Sequence, residues 1–593
     1  MNYDVKNMVV AIALSLAIVL GWQYFYLGPK SRQLAQQQAQ SQTATPGATA
    51  TAPASGTVPG SAAPAVTRED ALKASPRIGV KTAVTEGSIN LKGAQIDDLH
   101  LTKYTETIDP KSPTIAFLSP AGTPGALFAE QGFVAASGTA AKVPDSKTLW
   151  TATAGAQLSP GHPVTLTWDN GEGLVFTRVV SVDDNYMFTV SQTVANNSAT
   201  PVSLIPYARI QRQDTPKTAG YWVFYEGMLG VIGSGLTEVK YAAAADAKEP
   251  TRADSEKGGW LGFTDKYWAA ATIPDQQKAY GATFQHQKLG ERDVYQTDYL
   301  AKDALVIQPR ASASYEDHVF AGAKVVQTIN AVGAQYGIKQ FDLMIDWGWF
   351  YFLTKPMFYL LEFLKGLVGN FGVAILMATL LVKAAVFPLA NKSYASMSKM
   401  KKLQPEMAKL KELYPDDKAK QQQGMMELYK REKVSPLSGC LPIFVQIPVF
   451  FSLYKVILTS IELRHAPFFG WVHDLSAPDP TSFANLFGLL PFMPPAMLAI
   501  GIWPLIMGVT MWVQMRLNPT PPDPVQASLF NWMPVMFTFM LGTFPVGLVI
   551  YWAWSNTLSI LQQSYIMKRN GTEVNILGNI RESLPFLKKK PAA

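Results

Sequence analysis

The sequence predicts a helical membrane core joined to a large extracytoplasmic all-β domain of sandwich type. Three observations point there. Apolar residues make up 48% of the chain and charged residues only 16%, and the apolar ones gather into runs long enough to span a bilayer. Residues 67–340 instead show short alternating segments broken by turn signals. The net charge of +7 is concentrated in two short segments beside apolar runs, the pattern of cytoplasmic loops rather than of a nucleic-acid surface. At 593 residues the chain is too long for one core, so several domains are expected.

Residues 1–28 are expected to form an N-terminal transmembrane anchor. Residues 8–27 are apolar over a spanning length. Before them stands only Lys6, offset by Asp4, and no Ala-x-Ala site follows, which favours an uncleaved anchor over a signal peptide. Residues 29–66 are Gln, Ala, Thr, Ser, Pro and Gly for the most part, and read as a disordered linker. In the periplasmic β-domain, 67–340, Val164, Leu166 and Trp168 alternate into the turn at Asp169, Asn170 and Gly171. Leu174, Phe176, Arg178 and Val180 follow, then a turn at Asp183, Asp184 and Asn185 and a further alternating run, so antiparallel hairpins are predicted. The six histidines show no metal spacing, and neither a phosphate loop nor a nucleophile elbow is present, so no cofactor is implied. Residues 346–368 are aromatic and amphipathic and predict a helix lying in the membrane interface.

Residues 369–390 form the second predicted span, with Lys383 deep inside it. A lysine at that depth costs about 2.5–3.5 kcal/mol on insertion scales. In a straight helix the next charge, Lys392, is nine residues on, or roughly 13 Å at about 1.5 Å per residue. That exceeds a lysine stem's reach, so Lys383 is expected to face water or a partner within the membrane. Residues 391–433 read as a helical hairpin. Met400, Leu403, Met407, Leu410 and Tyr414 make a seam at spacings 3, 4, 3, 4; the chain turns at Tyr414–Asp417 and returns through Met425, Leu428 and Tyr429. Pro405 is expected to kink the first arm. Eleven Lys/Arg against six acids put this hairpin in the cytoplasm.

Further spans are predicted at 437–461, 496–516, 529–543 and 546–566, the last two split at Phe544 and Pro545. A periplasmic loop, 462–495, and a cytoplasmic loop, 517–528, connect them, and a basic tail, 567–593, ends the chain. Hairpin and tail share a side, so an even number of spans separates them. Four there, with the anchor and the Lys383 span, give six transmembrane helices, both termini inside and the β-domain outside. The single cysteine, Cys440, excludes an intramolecular disulfide. Its Leu437-Ser-Gly-Cys440 setting looks like a lipidation box but follows no N-terminal signal, so it reads as a packing residue.

Other polar residues fall at membrane depth: Thr379, one turn before Lys383; Gln446, beside Pro448; Gln514; and Ser555, Asn556, Thr557 and Ser559. No Asp or Glu accompanies them, which disfavours a proton relay or ion carrier. Together they suggest a hydrated groove that attracts acidic or polar segments. Two rivals are a secondary transporter for an anionic solute, for which no repeat is evident, and an envelope enzyme acting on glycans.

Linked signatures carry a resemblance to a known family. They include Gly369-Asn-Phe-Gly372, Pro388-Leu389, Tyr394-x-Ser-Met397, Leu403-Gln-Pro405, Pro436-Leu-x-Gly-Cys-x-Pro442, Gln446-x-Pro448, His473-Asp-Leu-Ser476, Phe544-Pro-x-Gly-Leu548 and Gln562-Gln563. The chain resembles the YidC/Oxa family of membrane protein insertases over its whole length. The resemblance implies a non-enzymatic insertase and chaperone of the bacterial inner membrane, five of whose spans form a groove open to cytoplasm and lipid. It implies a substrate groove at Lys383, Thr379, Gln446, Ser555 and Asn556, and exit contacts at Ile447, Pro448 and Met540. Cytoplasmic partners are implied to meet Lys399, Lys401, Lys402, Tyr414, Asp416 and Asp417. The implied partners are nascent membrane proteins, the Sec translocon, the ribosome, the signal recognition particle receptor machinery and the lipid bilayer. The family carries an arginine where this chain has Lys383, which keeps the charge and loses the planar guanidinium. The β-domain resembles a sugar-epimerase-like sandwich but shows no catalytic set.

Overall fold

The computed structural model describes residues 66–218, 224–233, 235–348, 350–415, 417–432, 441–488, 490, 500–518 and 524–571. The predicted anchor, nearly all of the linker and most of the basic tail lie outside these residues. The chain divides into two units, with the boundary between Asp346 and Trp347.

The first unit is a β-sandwich of an 11-stranded and a 9-stranded sheet, antiparallel but for one short edge pairing. Three short helices accompany it: α1 (Arg68–Lys73), α2 (Tyr241–Asp246) and α3 (Val326–Gln335). The predicted hairpins occur as neighbouring strands Val164–Asp169, Leu174–Val182 and Met187–Asn196. Asn170 fixes the first turn by accepting from the N–H of Glu172 (2.7 Å) and of Leu174 (3.0 Å), while Gly171 takes a φ of +74°. Along Leu174–Val182 every second side chain is buried, Arg178 among them.

An arginine in a sandwich core needs acceptors, because an unpaired buried charge is costly. Arg178 donates to the carbonyls of Ala94 (3.0 Å) and Gln131 (2.6 Å) and to Gln192 Oε1 (2.9 Å), and its guanidinium lies 4.9 Å from the Trp150 ring centre. Gln131 belongs to the larger sheet and Gln192 to the smaller, so one side chain ties the layers together. Tyr299 of the larger sheet makes a second tie, donating to Asp317 Oδ2 of the smaller at 2.6 Å. Burial pushes the Asp317 carboxyl up to about 7, against the pull of Tyr299 and Arg178. Burial also pushes Asp298 up to about 6 and holds His318 down at about 4.

The second unit is helical: α4 (Tyr351–Val368), α5 (Phe371–Ala385), α6 (Phe387–Leu413), α7 (Lys418–Arg431), α8 (Leu441–Thr459), α9 (Ile502–Leu517), α10 (Pro524–Leu541) and α11 (Val546–Arg569). Helix α4 buries Met357, Phe358, Leu361 and Leu364 and exposes Phe352, Tyr359, Phe363 and Leu367 on its other face. It ends at Gly369, whose φ of +73° is the left-handed C-terminal stop that glycine tolerates best. Asn370 then caps α5 by accepting from Val373 N–H at 3.1 Å.

The helix expected over 369–390 is two helices rather than one. Helix α5 stops at Ala385, Val386 leaves helical geometry (φ −90°, ψ 3°), and α6 departs at a bend of 67°. Pro388 in the first turn of α6 supplies the cause: it lacks an N–H and its ring opposes a continuous helix through the preceding turn. Lys383 therefore sits in the last turn of α5, where the helix dipole favours a cation, and not mid-helix. The first arm of the hairpin accordingly starts at Phe387 rather than 391, and it is one helix through Pro405 to Leu413. Leu403, Met407 and Leu428 close the hairpin seam with Met400, Leu410, Met425 and Tyr429 against them. The chain reverses between Leu541 and Val546, at the predicted Phe544 and Pro545. Among the described residues no single helix is long and apolar enough to cross a membrane; the bent pair α5 and α6 meets that measure together.

The raised Asp317 carboxyl gives a signed expectation. Its folded value lies above the unfolded 3.8, so its contribution is greatest at low pH and is lost as pH rises toward about 7. His318 acts in the opposite sense over part of this range, so the comparison to make is wild type against Asp317→Asn. In thermal unfolding of the full chain followed by proteolysis of the β-domain, wild type is expected to lose stability relative to Asp317→Asn between pH 5 and 7. A difference constant with pH would contradict this.

Candidate functional site

Helix α11 is the scaffold of the site, packing against α5, α6 and α9. Tyr551, Ser555 and Ser559 recur every four residues and so share one face of it. Lys383 Nζ donates to Ser559 Oγ at 2.7 Å, and that hydroxyl donates to the carbonyl of Ser555 at 2.9 Å. Tyr394 of α6 is buried against Ile566 of α11 in a small apolar cluster with Ala390 and Met397. One to two turns away, Gln446 of α8 donates to Ser555 Oγ (3.2 Å) and to the Tyr551 hydroxyl. Asn556 turns the other way and donates to Thr510 Oγ1 of α9 at 3.3 Å. Three helices are thus laced to α11, α8 and α9 by neutral hydroxyls and amides and α5 by one ammonium at the end of the row. Among the described residues no carboxylate lies within ion-pair distance of Lys383.

Of the residues expected to line the groove, Lys383, Gln446 and Ser555 are brought together. Thr379 is buried and returns its hydroxyl to the Ile375 carbonyl at 2.7 Å, so it packs within its own helix. Asn556 belongs to the α9 side. Ile447 on α8 and Met540 on α10 are 44% and 46% exposed, with Pro448 half-buried beside Ile447. On the hairpin, Lys399 is exposed and Lys401 half-buried. Lys402 donates to the Asn570 carbonyl at 3.0 Å, the C-cap of α11. Tyr414 accepts at its carbonyl from Gln421, and Asp417 caps α7 through Lys420 N–H (3.0 Å); Asp416 lies outside the described residues.

Sequence reasoning missed Tyr551 and Thr510, and it placed Ser559 at membrane depth without assigning it to the groove. All three are reached by contacts far apart in the chain; Tyr551 and Ser559 share the four-residue recurrence on α11, which Thr510 on α9 does not. It also passed over Lys455, which is 4% exposed in α8 with its stem packed beside Gly348.

A β-sandwich and a helical unit that carries a polar seam with a lysine, and a bent helix pair meeting the measure of a membrane span, define a membrane-associated class of protein. The comparisons specify it further. The YidC periplasmic domain family matches residues 77–360, and the family described as 60Kd inner membrane protein matches residues 363–573. The membrane protein insertase YidC of Methylorubrum extorquens is 53% identical over 622 residues, covering all of both chains. That of Rhizobium meliloti is 52% identical over 602 residues, 99% of each. A crystal structure of an active YidC insertase with its first transmembrane domain resolved is 19% identical, covers 82% of this chain and 91% of its own, and gives a TM-score of 0.34. The chain belongs to the YidC family of membrane protein insertases.

Gln446→Leu keeps the side chain's approximate size and removes both donors to α11. The helical unit is expected to lose about 1 kcal/mol, read as a lower unfolding midpoint in lipid nanodiscs. An unchanged midpoint would mean the α8–α11 bonds carry no stability.

Proposed function

We propose that this protein inserts membrane proteins into the bacterial inner membrane and helps them fold and assemble there, with Lys383 as the charge that draws the client in. The observation that carries the reading is the ammonium's partner. Lys383 rests on a neutral serine hydroxyl, with no carboxylate within ion-pair distance among the described residues. A charge-assisted hydrogen bond to a carboxylate is roughly twice as strong as a neutral one. An acidic or carbonyl-rich segment entering the seam therefore competes well with Ser559, while a resident ion pair would not yield.

The steps follow from the seam's chemistry. A short hydrophilic segment of a nascent chain meets hydroxyls and amides at a depth where an unsatisfied polar group otherwise costs several kcal/mol. The client's apolar segment then passes to lipid beside Ile447, Pro448 and Met540, whose apolar surfaces are partly exposed on α8 and α10. Its transfer into hydrocarbon supplies the driving force, and the sequence carries no nucleotide motif to supply another. The topology in this proposal has six spans, five of them forming the core, both termini cytoplasmic and the β-sandwich periplasmic. The basic hairpin and tail would then face the ribosome, the targeting receptor and the Sec translocon.

The test is depletion of the native protein followed by complementation. Lys383→Ala and Lys383→Glu are expected to lower insertion of clients with acidic translocated segments several-fold, and Lys383→Arg to preserve it. Full restoration by both Ala and Glu would remove the charge from the mechanism.

A further inference from the structure

The segment between α8 and α9 presents an apolar surface that the insertion reading does not use. Phe469, Trp471, Phe483, Leu486, Phe487 and Leu490 are 37–63% exposed. Over residues 468–490 the ionisable side chains are His473, Asp474 and Asp479. Both carboxylates are hydrogen-bonded to the segment itself and to residues at its two ends. Asp474 accepts from His465 N–H (3.2 Å) and from the Ser476 N–H (2.8 Å) and hydroxyl (2.7 Å). Asp479 accepts from the Trp471 indole (3.1 Å), from the Thr481 N–H and hydroxyl, and from Trp503 N–H (2.9 Å) at the start of α9. The carboxylates are turned inward and the rings outward, with the His473 imidazole exposed beside them, a pattern unlike a highly charged water-facing loop.

The backbone follows the same rule. Phe483 N–H is bonded to the Ile500 carbonyl (3.0 Å), Phe487 N–H to Ser482 (2.6 Å) and Leu490 N–H to Asn485 (3.0 Å). Leu486 and Phe487 are successive non-glycine residues in the left-handed region, at φ of 51° and 58°. That conformation is unfavourable for residues with a Cβ, and here it holds two large apolar side chains out from the surface.

We propose that residues 468–490 form an interfacial anchor seated in the outer leaflet of the bilayer, with lipid as the occupant of this face. The inference rests on reading α8 and α9 as spans. The segment joins those two helices, so its exposed rings continue their apolar surface at the level where aromatic side chains concentrate. Internally bonded backbone suits the low-water boundary of a leaflet, where unsatisfied N–H groups are costly. A water-soluble partner of opposite charge has nothing to recognise, since the carboxylates face inward.

The test uses the full chain with Cys440→Ser, reconstituted in phosphatidylethanolamine and phosphatidylglycerol vesicles. Single cysteines at Phe487→Cys and, independently, Phe469→Cys carry an environment-sensitive fluorophore. Met426→Cys on α7 and Val509→Cys on α9 serve as references. Both loop positions are expected to emit blue-shifted light and to be quenched several-fold more by nitroxide placed high on the acyl chain than by aqueous iodide. Quenching by iodide at the level of Met426→Cys would overturn the anchor, as would shielding from both quenchers, which marks a protein-covered surface. If Val509→Cys is reached by lipid nitroxide and the loop is not, the anchor alone fails. If Val509→Cys also escapes, the reading of α9 as a span fails with it.

Discussion

A cation held among apolar helices has to be solvated by the protein, and Lys383 sets that demand in the helical unit. The ammonium donates to Ser559, and Ser559 donates back into the α11 backbone. Gln446 and Asn556 bring α8 and α9 onto α11 by similar neutral bonds. The 67° bend after α5 is part of the same solution. It puts the lysine at a helix end, where carbonyl dipoles favour positive charge, and it sends α6 off as the arm of the hairpin.

The β-sandwich meets a comparable problem by the opposite means. Arg178 lies in its core but is wrapped by three carbonyl oxygens and an indole ring, so its charge is spent on holding the two sheets together. Among the described residues Lys383 has one neutral side-chain partner, and the proposed function assigns its charge to an incoming client. The two cations differ in burial, Arg178 being fully buried and Lys383 half-buried, and differ further in how many acceptors surround them.

The β-domain was largely legible, because a two-residue period and the turn residues at Asn170 and Gly171 are local signals. Even the inward side of Arg178 followed from the alternation. The reversal at Phe544 and Pro545 was legible for the same reason. The break after Ala385 was not, since hydropathy runs on unbroken from Phe371 to Ala390 and only Pro388 marks it. Lys383 stood out through its cost, yet its partner lies 176 residues away and no periodicity reports a contact at that range. Thr379 shared a helix face with Lys383 but bonds its own backbone, because a threonine hydroxyl in a helix has a carbonyl one turn back always within reach.

The central claim is that the positive charge at the end of α5 brings the client into the seam, and crosslinking reads it at the step where the client passes. A photoreactive residue at position 447, on the exposed apolar side of α8, reports a stalled nascent chain as it passes. With Lys383 in place, adducts are predicted to the client's hydrophobic segment, and they should fall several-fold when Lys383→Glu is added. Adducts of equal yield with and without the lysine would contradict the account.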